Sequence, residues 1–196
     1  MLEKIKKYWK IATGGWFGWI TYALLGLILA YLTNFLLGIV LKTSLPLVVV
    51  VSSSMTHKPE NNIICGEYVT NYKNDFDDYW KYCGKTFIKF GITKEIFMEF
   101  PFKDGLNIGD VALIAGKEKY KVGDIIVFYT PSSKYPIIHR IVAINDDGSY
   151  QTKGDHNFSQ LPYEYKVEKS QIKGKVVYVV PYIGLLKVLF VRMVGI

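Results

Sequence analysis

The sequence predicts a mainly β protein, an antiparallel β domain behind one N-terminal transmembrane helix. Three observations carry that expectation. No charged residue occurs from Ile11 to Leu41. Beyond that segment the chain falls into short β-type runs bounded by Gly and Pro. No helix-period pattern of comparable length lies among those runs. At 196 residues there is room for one domain plus a membrane segment.

Residues 1–15 form a basic N-terminus and residues 16–41 the anchor. "WFGWITYALLGLILAYLTNFLLGIVL" exceeds the ~20 residues that an apolar helix needs to cross a bilayer. Trp16, Trp19 and Tyr22 cluster at its start, where amphipathic rings favour the interface. The h-region of a cleaved signal peptide runs to ~7–15 residues. This segment is about twice that and no small-x-small site follows it, so it reads as a retained anchor. Lys4, Lys6, Lys7 and Lys10 stand against one Glu in the flank, which keeps the N-terminus in the cytoplasm. The expected location is the cell (plasma) membrane, single-pass, with everything after about residue 42 outside. The net charge of +7 is otherwise spread as single Lys residues. No dense basic run with interleaved aromatics occurs, so no nucleic-acid partner is expected. The lipid bilayer is.

Residues 42–60 and 108–184 carry the β runs. "PLVVVV" is the first and leads into Ser52, Ser53, Ser54 and Met55. "GDVALIAG" (109–116), "VGDIIVFYTP" (122–131) and "YPIIHRIVAI" (135–144) follow. "NDDG" (145–148) is a turn by composition, "SYQTKGD" returns from it as the second arm of a hairpin, and "QIKGKVVYVVPYIG" closes the domain. Residues 61–107 interrupt this order with a stretch rich in aromatics, Lys and Asp, which reads as an insertion with structure of its own. It holds both cysteines, Cys65 and Cys83. On the outside of a cell these can pair; two separate buried thiols are the alternative. Two Cys without neighbouring His offer no zinc set, and neither metal nor cofactor is expected. Residues 185–196 are an apolar tail, interrupted by Lys187 and Arg192 and short of a full span.

The three histidines are His57, His139 and His156. His139 stands inside a run otherwise fit for a buried strand, where an imidazole needs a hydrogen-bonding reason. A satisfied core histidine is one such reason. The other is chemical: the hairpin turn brings Asp155 of "TKGDHN" back toward the His139 strand, and a hydroxyl cluster ends the first run. Nucleophile, base and orienting carboxylate are then all present, the set that acyl transfer requires.

"SSSM" after a membrane segment, "GDIIVFYTP", "IIHRIV", "TKGDHN" and "YVVPYIG" occur in that order. Together they resemble the type I signal peptidases of the archaeal and endoplasmic-reticulum branch. The resemblance covers the anchor, 46–56 and 109–184, and not the insertion. It implies Ser54 as nucleophile and His139 as general base. It further implies an oxyanion hole from the Ser52 hydroxyl and the Ser54 backbone N–H, with Asp155 matching the Gly-Asp of the last motif. The pattern departs at Leu161, where relatives commonly carry a second acid. Asp155 is the expected orienting residue; a Ser–His dyad without one, or Glu164, are the alternatives.

The implied activity is a membrane-anchored serine endopeptidase that removes signal peptides from translocated preproteins, with small residues before the cleavage point. A relative restricted to a narrow set of surface proteins, or a non-catalytic surface subunit that keeps the fold, are the other readings.

Overall fold

The computed structural model describes residues 2–4, 6, 13–131 and 133–194. Lys7 and Lys10 of the basic flank, and Gly195 and Ile196 of the tail, lie outside these. The chain divides into two compact units, Met1–Val40 and Leu41–Ile196.

In the first unit, α1 (Gly15–Val40) is a helix of 26 residues. It bonds its backbone groups internally, which hydrocarbon demands of a spanning segment. At ~1.5 Å per residue it runs roughly 39 Å, beyond the ~30 Å of a bilayer core. It is long and apolar enough to cross a membrane, and one such N-terminal helix fits a single-pass membrane protein.

The second unit is mainly β. Its strands are β1 (Leu47–Val49), β2 (Ile63–Ile64), β3 (Glu67–Tyr68), β4 (Val111–Ala115), β5 (Ile125–Phe128), β6 (Ile137–Ile144), β7 (Tyr150–Lys153) and β8 (Ile172–Val180). Six of them form one sheet in the order β1-β4-β8-β5-β6-β7, every pair antiparallel. The β-branched runs seen in the sequence supply these strands. β5 is buried at all four positions because it is central and covered on both faces. Ile125 and Val127 pack with Val50, Met55 and Leu106, while Ile126 and Phe128 pack with Ile141, Tyr150 and Val167 on the other side.

The insertion folds as the β2–β3 hairpin and three short helices, α2 (Phe76–Cys83), α3 (Lys85–Ile88) and α4 (Lys94–Met98). Asp75 caps α2 by accepting the Asp78 N–H at 2.8 Å, satisfying a donor that a helix start leaves open. Cys65 and Cys83 form a disulfide, Cα atoms 5.4 Å apart. Tyr79, Phe87, Phe97, Val69 and Ile92 make a core of their own with Val142 of β6, so the insertion is seated on the sheet. The apolar tail forms α5 (Leu185–Val194).

Neighbouring residues on a strand face opposite sides, and this alternation divides the β6–β7 hairpin. Arg140 pairs with Lys153 and Ile141 with Thr152, with a register shift between Ile141 and Ala143. Arg140, Val142 and Lys153 turn toward the insertion: Arg140 and Lys153 lie over Phe97 and Phe87, and Val142 is in its core. His139, Ile141 and Thr152 turn the other way.

Candidate active site

Ser54 lies in the loop that follows β1. Its hydroxyl shares a hydrogen bond of 3.2 Å with the Ser52 hydroxyl, and its carbonyl accepts the His156 N–H at 2.9 Å. Ser52, Ser54 and His139 line one cavity of about 570 Å³, whose walls are mostly apolar and include Leu47, Val49 and Leu161. His139 itself is nearly buried, 4% exposed. Its Nδ1 lies 2.5 Å from Oε1 of the fully buried Glu164. A carboxylate accepts, so Nδ1 carries a proton, and in the neutral imidazole Nε2 is then the nitrogen with the lone pair.

Gly154 sits where nothing larger fits. A Cβ there would come within 2.7 Å of the Ser54 carbonyl oxygen and 2.9 Å of His139 Nε2. This glycine backbone is what brings the Ser54 loop and the basic nitrogen of His139 to one place.

Glu164 is held as firmly as it holds. It stands in a short 3-10 turn, Pro162–Glu164. Its Oε2 accepts the Leu161 N–H at 2.8 Å, and the Leu161 carbonyl accepts the Glu164 N–H at 2.8 Å. Thr152, on the same face of the hairpin as His139, donates to Oε1 at 3.3 Å. Leu161, where the resemblance leads one to expect an acid, thus begins the turn that delivers one. The legible signal was "LPYE": a Pro that starts a turn and an acid two residues on, able to cap the N–H before that Pro.

Asp155 is corrected by the structure. It does not meet His139, because the alternation puts it with Lys153 and Arg140 on the insertion face. There its carboxylate accepts from Arg140 Nε at 2.9 Å and Nη2 at 2.7 Å and from His57 Nε2 at 3.1 Å. Burial alone raises the Asp155 carboxyl, but the Arg140 guanidinium and the His57 bond outweigh it and hold it well below the usual carboxylate range. Arg140 spends its remaining donors on the carbonyls of Pro101, Gly123 and Phe102, each at 2.9 Å. A buried guanidinium with every N–H matched to an acceptor avoids the cost of an unpaired charge. His57 lies flat on Tyr79, and burial lowers its pKa despite the facing carboxylate.

Lys153, also fully buried, donates to the Gly154 carbonyl at 2.9 Å and lies 4.2 Å from the Phe87 ring centroid. Burial pulls its amine down to about 7. Among the described residues no cluster of His, Cys, Asp and Glu could hold a metal ion. The chemistry this arrangement can perform is proton transfer between a hydroxyl and a neutral imidazole backed by a buried carboxylate.

No family model matches the chain. It is 27% identical over 92 residues to the signal peptidase complex catalytic subunit SEC11C of Homo sapiens, a match covering 41% of this chain and 48% of that protein. The same figures hold for the protein of that name from Mus musculus. Against the signal peptidase complex catalytic subunit SEC11 of Candida tropicalis the identity is 30% over 91 residues, covering 41% of this chain and 55% of that protein. The chain thus spans about half the length of the curated relatives it matches. The sequence is a weak homologue of the endoplasmic-reticulum branch of signal peptidase catalytic subunits, which supports its resemblance to the type I signal peptidases.

Proposed function

We propose that the chain is a membrane-anchored serine endopeptidase that removes signal peptides from translocated preproteins, with Ser54 as nucleophile, His139 as general base and Glu164 as the residue that orients it. The observation that carries the reading is the buried Glu164 carboxylate on His139 Nδ1, with Nε2 and the Ser54 carbonyl both against Gly154. A carboxylate on Nδ1 fixes the tautomer that leaves Nε2 free to take a hydroxyl proton.

In this reading His139 Nε2 takes the Ser54 proton as Oγ attacks the scissile carbonyl. This step requires the Ser54 hydroxyl to leave the Ser52 hydroxyl and turn toward Nε2. The Ser52 hydroxyl and the Ser54 N–H then serve the developing oxyanion, where one donor is worth roughly 10²–10³ in rate. The imidazolium returns its proton to the leaving amine. The acyl-enzyme is hydrolysed by a water that the same nitrogen activates. β1 is an edge strand of the sheet, so an extended substrate can pair along it, and the apolar cavity walls suit small apolar side chains before the cleavage point. The N-terminus lies in the cytoplasm and the β domain outside the plasma membrane.

Purified full-length protein in detergent, given a preprotein, should release the signal peptide; Ser54→Ala should abolish release with an unchanged melting temperature. Equal cleavage by Ser54→Ala would end this assignment.

A further inference from the structure

The insertion grips the segment that follows Ser54 and the segment that follows β7, whose Gly154 lies against His139. On the nucleophile side, the Leu106 N–H donates to the Met55 carbonyl at 2.8 Å. The Tyr72 hydroxyl donates to the His57 carbonyl at 2.6 Å, and the His57 ring is stacked on Tyr79 with centroids 3.4 Å apart. On the side of His139, the Tyr79 hydroxyl donates to the Asp155 carbonyl at 2.9 Å. The Cys65 N–H donates to the His156 carbonyl at 3.1 Å. Cys65 is tied by its disulfide to Cys83, the last residue of the helix that presents Tyr79. From His156 the chain of bonds runs on to the Ser54 carbonyl.

None of residues 61–107 lines the cavity, so these contacts reach the reaction only through other groups. The segment they hold, Gly154–His156, has no slack: Gly154 already fills the gap between Ser54 and His139. A displacement of that backbone passes directly to both.

We propose that the insertion is a clamp on the catalytic geometry, in which Tyr79 and the disulfide-tied Cys65 position the Gly154–His156 backbone and, through it, Ser54 and His139. Tyr79 is then a positioning residue, and the disulfide sets how firmly it acts. This rests on the peptidase reading for its kinetic consequence and on contacts alone for its structural one.

The test is Tyr79→Phe in the full-length protein, which keeps the ring on His57 and removes only the hydroxyl. Loss of one buried hydrogen bond in the positioning chain should lower kcat for preprotein cleavage about tenfold. KM should change less than about twofold, because no substrate contact is touched. The ¹⁵N resonances of the His139 ring should shift without any substrate present. Reduction of the disulfide, read below the melting temperature, should move kcat and the ring resonances in the same direction, and it serves in place of Tyr79→Phe if that variant does not fold. Ile88→Ala, on the exposed surface of the insertion, should leave both unchanged. A Tyr79→Phe protein that melts earlier but keeps kcat, KM and the His139 resonances overturns the clamp. If the wild type cleaves no preprotein, the peptidase reading falls and the ring resonances alone decide: a shift upholds the clamp and none removes it.

Discussion

Replacing Glu164 by Gln tests the orienting carboxylate with almost no change in volume. The wild-type side chain has two acceptor oxygens with fixed duties. Oε2 accepts the Leu161 N–H at 2.8 Å, while Oε1 faces His139 Nδ1 at 2.5 Å and Thr152 Oγ1 at 3.3 Å. A Gln has one oxygen. Placing its NH₂ toward the Leu161 N–H would set donor against donor, so the oxygen stays there and the NH₂ turns to His139. Nδ1 must then accept, and the ring proton moves to Nε2, the nitrogen that in the proposed mechanism takes the proton of Ser54. Holding a catalytic histidine in the wrong tautomer costs ~10⁴ in turnover, which corresponds to roughly 5.5 kcal/mol of barrier. The stability cost is far smaller, about 1–3 kcal/mol for a buried charge-assisted bond. Single-turnover cleavage of a preprotein, beside a thermal melt, reads both. Asp155→Asn should give the opposite pattern: it strips the countercharge from a buried guanidinium, which costs about 3–5 kcal/mol, while His139 keeps its partner. Turnover within tenfold of wild type for Glu164→Gln, with a fall of ~10³ or more for a still-folded Asp155→Asn, would refute this reasoning.

Gly154→Ala should lose at least ~10² in kcat, since its Cβ would lie 2.7 Å from a backbone oxygen that cannot give way and 2.9 Å from His139 Nε2; steady-state kinetics on the folded variant checks it. Lys153 binds a proton in the unfolded chain and sheds it when folded between about 7 and its ordinary 10.5. Wild-type stability should therefore rise with pH across that window, by up to roughly 1.4 kcal/mol per pH unit, and denaturant titrations of Lys153→Met should show most of that rise gone. The disulfide closes a loop with a sequence separation of 18, so the Cys65→Ser/Cys83→Ser protein should be less stable by ~3 kcal/mol, measured as a lower urea midpoint with a slope that rises as the unfolded chain loses its cross-link.

The long apolar helix and the β runs were legible because each depends on local pattern. An uncharged stretch of that length favours a helix, and β-branched runs between Gly and Pro have few conformations open to them. Ser54 and His139 could be singled out by residue type and motif order. The partner of His139 could not. Asp155 and Glu164 are both within reach of the hairpin, and which carboxylate meets the imidazole depends on which face of the β6–β7 hairpin each lies against. That face follows from the pairing register, and one residue of slip reverses it. The register here includes an irregularity between Ile141 and Ala143 that no local composition announces. Arg140 completes the division: the residue beside His139 must point the opposite way on its strand, and its buried charge draws Asp155 to the insertion side. The sequence by itself determined the long apolar helix, the β runs along the chain and the candidate nucleophile and base. Only the tertiary structure decided which acid serves which cation, because that choice is made by strand register and by the burial that forces each charge to find a partner.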